Sequence, residues 1–177
     1  MPGRDAFIEI LRKHGLMVHL RRRKRYKTTD SNHHYRKYPN LIKEIIPMRP
    51  NEIWVADITY VETEEGVCCL SLITDAYSHK IVGWALGPTL ETIHPLQALQ
   101  MALATIDENT AGRLIHHSDR GCQYCSDAYV SELKRHGIGI SMTQSGDPLE
   151  NAVAERANGI LKTEWLYKMS IATREEC

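Results

Sequence analysis

The run Ile53-Trp54-Val55-Ala56-Asp57-Ile58-Thr59-Tyr60-Val61 constrains this chain more than any other stretch. Its apolar residues occupy odd and even positions alike. A strand built from it needs cover on both faces, as the central strand of a sheet flanked by helices has. Asp57 interrupts the run and shares a face with Val55 and Thr59. An ionised carboxylate in such a place is costly unless a cation pairs with it.

The remaining elements fit around that strand. Val67–Thr74 and Lys80–Leu86 read as two more strands, joined by turns at Glu64-Glu65-Gly66 and Asp75-Ala76-Tyr77-Ser78, which makes an antiparallel meander. Pro95 suits the first turn of a helix that runs through Leu96, Leu99, Leu103 and Ile106 to Asp107. The apolar run Arg113-Leu114-Ile115-His116 predicts a short buried strand ending at Asp119, followed by turn residues and a helix. A helix over Asp127–His136 closes at Gly137, and Ile138–Ser141 is the fifth strand. Residues 142–150, with Gly146 and Pro148, read as a loop before a final helix from Asn151 to Tyr167. On that helix Asn151, Glu155, Asn158 and Lys162 form one polar stripe, and Val153, Ala157, Ile160 and Leu161 are expected to be its buried side. The order predicts an α/β domain with a mixed five-stranded sheet and helices on its faces.

Charge divides the chain. The formal net charge is zero, yet residues 1–50 hold thirteen Lys and Arg against four Asp and Glu, leaving nine basic and eighteen acidic residues for the rest. A basic arm therefore precedes an acidic core, with the boundary expected near Pro47–Pro50: an arm and linker over 1–50 and a core over 51–177. The arm begins with a short helix over 5–14, where Phe7, Ile10, Leu11 and His14 are at helical spacing. Its densest run is Arg21, Arg22, Arg23, Lys24, Arg25 and Lys27, which reads either as a solvated tail or as a set of phosphate contacts with Tyr26 available for stacking. Thr28–Asn40 suggests an extended linker. At 177 residues the chain suits one compact domain plus an appendage. With no apolar run of eighteen, no signal-peptide pattern and an odd five cysteines, it reads as a soluble intracellular protein in a reducing compartment.

Asp57, Asp119 and Glu155 are the candidate site, with 35 positions between the last two. A carboxylate at the end of an interior strand is held rigidly and still points into a cleft. Three carboxylates and no thiol form a hard-oxygen set for Mg2+, with Mn2+ as its substitute. That set suits phosphoryl transfer on nucleic acid, where two cations about 3.5–4 Å apart activate the nucleophile and stabilise the leaving oxygen. Without metal, close carboxylates raise one another's pKa, so Mg2+ binding to the free protein is expected to be weak. His117 either orients Asp119 or fills space. Cys122 and Cys125 form a CxxC beside His116 and His117, a weak signal for zinc without a second pair. Trp54, Trp84 and Trp165 are most simply core or edge packing.

The stretches "NEIWVADITY", "HSDRGCQY" and "SGDPLENAVAERANGILKTEW", in that order and spacing, resemble the DDE catalytic core of bacterial insertion-sequence transposases related to retroviral integrases. The likeness runs from about Pro50 to Trp165, and "ILRKHGL", the basic run and "PNLIKEI" resemble that family's DNA-binding helical region and linker. It implies an RNase H-like fold, with Asp57, Asp119 and Glu155 as catalytic metal ligands, Asp57 bridging two ions. It further implies Lys162 as a DNA contact, His117, Asn151 and Asn158 in supporting places, and DNA ends and target as partners. The implied reaction is cleavage at an element end, then attack by the freed 3′-hydroxyl on a second phosphodiester, by a self-associating protein in the bacterial cytoplasm at the nucleoid. A plain RNase H-like nuclease and a DNA-binding remnant without catalysis are the alternatives. Glu150 stands where the family usually has Asp, and Ala157 where an aromatic is common. Such transposases usually continue with another helical segment, so the resemblance implies a core truncated at its C-terminus and only part of the N-terminal region.

Overall fold

The strand expected at residues 53–61 forms as β1 (Ile53–Thr63) and lies at the centre of a five-stranded sheet. The structure is a computed structural model that describes residues 3–16, 32–144 and 151–168, with residues 171 and 173. From β1 the chain turns at Gly66, whose φ of 127° favours glycine, into β2 (Gly66–Asp75), and then into β3 (Ile81–Gly87). Both pairings are antiparallel. β4 (Ile115–Ser118) joins the other side of β1 in parallel, and β5 (Gly139–Met142) joins β4 in parallel, giving the order β3-β2-β1-β4-β5. This is the mixed sheet expected from the element order.

The two faces of β1 are covered by different elements. Trp54, Ala56 and Ile58 pack with Ala98, Leu99 and Ala102 of α2 (Ile93–Leu103) and with Tyr129 and Leu133 of α5 (Asp127–Arg135). Ile53 and Val55 face the other way and meet Ala154 of α6 (Ala152–Leu161). Cys68 and Cys69, adjacent on β2, fall into clusters on opposite faces, as alternation along a strand requires. The contact between α2 and β3 is close enough that a Cβ at Gly83 would stand 2.1 Å from the Ala98 carbonyl oxygen.

Four expectations shift. The helix from Pro95 stops at Leu103, because Asp107 caps a new short helix, α3 (Glu108–Ala111), by accepting from Thr110 N at 2.7 Å. The strand expected at 113–116 forms two residues later; after it a short helical turn, α4 (Cys122–Cys125), precedes the expected helix, α5, which has Ser126 at its N-cap. The final helix is α-helical only to Leu161 and continues as a π-helical turn over Lys162–Leu166. Its buried side is only in part the one expected: Val153 and Leu161 pack against core clusters, but they are not its most buried residues. Asn151, Ala154 and Asn158 face the sheet, whereas Ile160 is 49% exposed. Hydrogen bonds decide this: the Asn151 side-chain amide donates to Ala56 O at 3.2 Å and Asn158 reaches the sheet in the same way. Of the tryptophans, only Trp54 is in the core; Trp84 and Trp165 are exposed.

Asp75, the last residue of β2, is only 1% exposed. Its carboxylate accepts from Asn51 N, Ser78 N and Ser78 Oγ, each at 2.7 Å, and so locks the approach to β1 and the β2–β3 connection. Residues 32–47 have no regular structure, but they pack on the domain: Tyr35 and Tyr38 lie against the larger core cluster and Ile42 against the α6 side. Helix α1 (Arg4–Lys13) buries none of its residues. Among the described residues no helix is long and apolar enough to cross a membrane.

Candidate active site

Parallel pairing sets the first two acids side by side. Val55 of β1 pairs with His117 of β4, two residues before Asp57 and Asp119 respectively, and the charge of Asp119 is felt at Asp57. Neighbouring strands lie about 4.8 Å apart, which makes the two carboxylates neighbours at the end of β4. Asp57 Oδ1 accepts from Ile58 N at 2.9 Å, and Asp57 Oδ2 accepts from Asn158 Nδ2 at 2.6 Å. Burial pushes the Asp57 carboxyl up to about 7, and the charges of Asp119 and, to a smaller extent, Glu155 act in the same direction. The hydrogen bonds from Ile58 and Asn158 oppose this without cancelling it.

The loop after β4 holds Asp119 by a short turn. Asp119 Oδ1 accepts from Gly121 N at 2.8 Å, an Asx-type turn over two residues. Gly121 matters here for space: a Cβ would lie 3.0 Å from both Asp119 Oδ1 and Gln123 Oε1. Gln123 Nε2 donates to Leu90 O at 2.9 Å, anchoring α4. Behind the loop are two buried histidines. His117 Nδ1 bonds Ser141 Oγ at 2.8 Å, and His116 Nε2 bonds Tyr129 Oη at 2.9 Å. Burial, and then the neighbouring His117, push His116 down to about 3, so it is a neutral part of the core at ordinary pH.

Glu155 lies in the first turn of α6 and is exposed, one turn before Asn158. Asn158 joins that helix to Asp57, and Asn151 joins it to the backbone one residue earlier on β1. The side-chain oxygens of Asn151 and Asn158 are buried and have no hydrogen-bond partner. A region with a charge-raised carboxyl and orphaned oxygens beside it fits a hard cation. Among the described residues, however, no three carboxylate, imidazole or thiol groups are close enough to hold one ion. The charge of Asp119 acts on Asp57 more strongly than that of Glu155, which lies on its helix.

Lys162 opens the π-helical turn and is half-buried. The basic residues Arg21, Arg22, Arg23, Lys24, Arg25 and Lys27, with Tyr26 and residues 28–31, lie outside the described residues, as does most of the expected loop, 145–150. Cys122 and Cys125 flank α4 without converging on a shared ligand. Cys122 Sγ lies 3.4 Å from Gln123 Oε1 and Cys125 Sγ 3.5 Å from Met142 Sδ. Burial, followed by the charge of Asp119, pushes the Cys125 thiol up to about 11, the opposite of what a metal thiolate requires. The sequence reading missed Ser141 and Gly121. Gly121, two residues after an Asp, was the available signal; Ser141 gave none, since its partners are remote in the chain.

A model of the integrase core domain matches residues 47–148, more than half the chain, and a second integrase core model matches residues 136–176. The chain belongs to the integrase core domain family. Its relatives include an uncharacterized 31 kDa protein of insertion element IS600 from Shigella sonnei, 39% identical over 98% of this chain and 63% of that protein. The transposase for insertion sequence element IS629, also from Shigella sonnei, is 36% identical over 88% of this chain and 51% of the relative. A putative transposase for IS986/IS6110 from Mycobacterium tuberculosis is 40% identical over 67% of this chain and 44% of its own length. The chain thus spans between about two fifths and two thirds of the relatives it matches. Among solved structures, a simian T-cell lymphotropic virus intasome in complex with PP2A regulatory subunit B56 gamma covers 77% of this chain and 46% of the matched chain, with a TM-score of 0.61 and 25% identity. The HTLV-2 integrase catalytic core in complex with magnesium gives 0.53 over 68% of this chain and 76% of its own, at 20% identity. The fold is therefore the RNase H-like one of retroviral integrase cores, and the chain is an integrase-type core of the insertion-sequence transposase kind.

Proposed function

We propose that this chain is the catalytic core of a DDE transposase that uses Mg2+, with Mn2+ as substitute, to cleave DNA at the ends of an element and to join the freed 3′-hydroxyl to a second site. The observation that carries the reading is that Asp57 lies close enough to Asp119 and Glu155 to feel both charges, together with the hydrogen bond that ties Asp57 to the helix bearing Glu155. Asp57 and Asp119 would hold the divalent ions, with Glu155 completing the set. When bound, the ions supply a nucleophile at neutral pH and neutralise charge on the phosphate.

The residues of the chain have distinct tasks. Asn158 holds one Asp57 oxygen and the Ile58 backbone N–H holds the other, so the carboxylate is fixed at both ends. Gly121 turns Asp119 by its backbone N–H. Asn151 docks the start of α6 on β1, so that Glu155 starts from a fixed place. Glu155 reaches the aspartates by a modest shift of α6 or by rotation of its own side chain when DNA and cations bind. This makes ion binding and DNA binding mutually supporting, because a substrate phosphate supplies the remaining oxygens. The six basic residues at 21–27 and Lys162 contact DNA backbone, and the protein self-associates to hold two ends.

The test is strand transfer with labelled duplexes carrying the element's ends. Asp57→Asn, Asp119→Asn and Glu155→Gln each abolish cleavage and joining, while DNA affinity measured without divalent ion stays within about twofold, since a metal ligand then has no ion to hold. Cleavage without joining in the unmodified protein would replace this reading with a simple nuclease. Loss of binding in all three variants would replace it with a binding module.

A further inference from the structure

Residues 32–41 follow the basic run and cross the open edge of the sheet at β5 on their way to the core. Met142 N donates to Pro39 O at 3.2 Å, and Leu41 N donates to Ser141 Oγ at 2.8 Å. The same Ser141 oxygen bonds His117 Nδ1 at 2.8 Å. At the other end of the segment, His33 Nε2 donates to Arg120 O at 2.9 Å across 87 residues of sequence. The acceptor is a carbonyl, so Nε2 carries the proton. The segment thus grips the chain on both sides of Asp119, at residue 117 through Ser141 and at residue 120 directly. Its own position is fixed: Tyr35 packs on the core with its ring 5.5 Å from that of His33, and the Tyr38 ring lies between Arg36 at 5.1 Å and Lys134 of α5 at 5.9 Å.

We propose that residues 32–41 form a positioning strap for the catalytic loop, and that His33 is the positioning residue that holds Asp119 beside Asp57. The inference rests on the reading of Asp57 and Asp119 as ligands of a divalent ion. His33 Nδ1 is buried and unbonded, so the side chain's whole polar contribution is the single hydrogen bond to Arg120 O. Ligand-orienting partners of this kind act on metal affinity while leaving the fold in place. The strap is also where the arm joins the core, so the stretch that brings the basic run to DNA is the one that sets the acid.

The test compares the full chain with His33→Ala, His33→Gln and Asp119→Asn. Mn2+ binding is read by electron paramagnetic resonance, and amide exchange over residues 117–125 is read in metal-free protein. His33→Ala is expected to weaken Mn2+ binding about tenfold and to speed exchange at Gly121, whose amide holds Asp119. His33→Gln restores both, because its amide nitrogen can donate to the same carbonyl. Equal thermal midpoints for the two variants show that the fold is not the cause. Wild-type Mn2+ affinity and exchange in His33→Ala would overturn the strap, as would failure of His33→Gln to differ from His33→Ala. If Mn2+ binding survives in Asp119→Asn, the ion is elsewhere and the active-site reading falls, while the exchange data still decide the strap.

Discussion

Two buried or partly buried aspartates on neighbouring strands have opposite roles, and their partners show why. Asp75 accepts three hydrogen bonds at 2.7 Å and is saturated. Asp57 accepts two, feels two other negative charges and is pushed up to about 7. The consequences for stability differ in sign. Between about pH 4 and 7 native Asp57 keeps a proton that the unfolded chain has released, so stability of the metal-free protein falls as pH rises through that window and levels off above it. Asp57→Asn removes this dependence and stabilises the metal-free protein at pH 8 by on the order of 2 kcal/mol, judged by the cost of each pKa unit. Urea unfolding at pH 5 and pH 8 checks it; an unchanged difference between the two pH values would show that Asp57 is not destabilising. Asp75→Ala does the reverse. It leaves Asn51 N and Ser78 N without their acceptor and costs about 3 kcal/mol at either pH.

At the scale of elements, glycines mark where backbones meet. Gly83 on β3 faces the α2 backbone, and a Cβ there would stand 2.1 Å from Ala98 O, a contact that only a shift of the helix relieves. Gly83→Ala should cost about 1–3 kcal/mol. Gly159 on α6 has nothing within 4 Å, so Gly159→Ala should stabilise by about 0.5–1 kcal/mol through helix propensity. Thermal unfolding of the two variants tests both signs in one experiment. The strands were legible because alternation and β-branched residues are local properties, and β1 showed its burial in both faces. The α6 face was not. Its apolar residues pointed to one side, but Asn151 and Asn158 gain hydrogen bonds on the sheet that the helix sequence alone does not reveal. Asp107 shows the same limit at a helix end, where its capping bond outweighs continuation of the apolar spacing. The covered position of Asp57 was legible in its apolar neighbours. The bonds that Ser141 and His33 make to the loop after β4 were not, because partners separated by 24 and 87 residues leave no local pattern.

For the whole molecule, on the proposed reading, the charge division sets how it would meet DNA. Residues 1–50 carry an excess of nine positive charges and the remainder an excess of nine negative ones, so the core alone repels a phosphate backbone. Affinity must then come from the arm, with divalent ions reducing the repulsion at the acids. Each phosphate neutralised releases counterion, with a slope of about −0.9 in log K against log salt. Replacing Arg21, Arg22, Arg23, Lys24, Arg25 and Lys27 with glutamine should flatten that slope by up to about five and weaken binding to unrelated sequences as much as to element ends. Asp119→Asn, which removes a negative charge from the core, should leave the slope unchanged and strengthen metal-free binding slightly. Fluorescence anisotropy across a salt series separates the cases. A slope insensitive to the six replacements would place the phosphate contacts on the core itself, where Lys162 on the helix of Glu155 is the first residue to test.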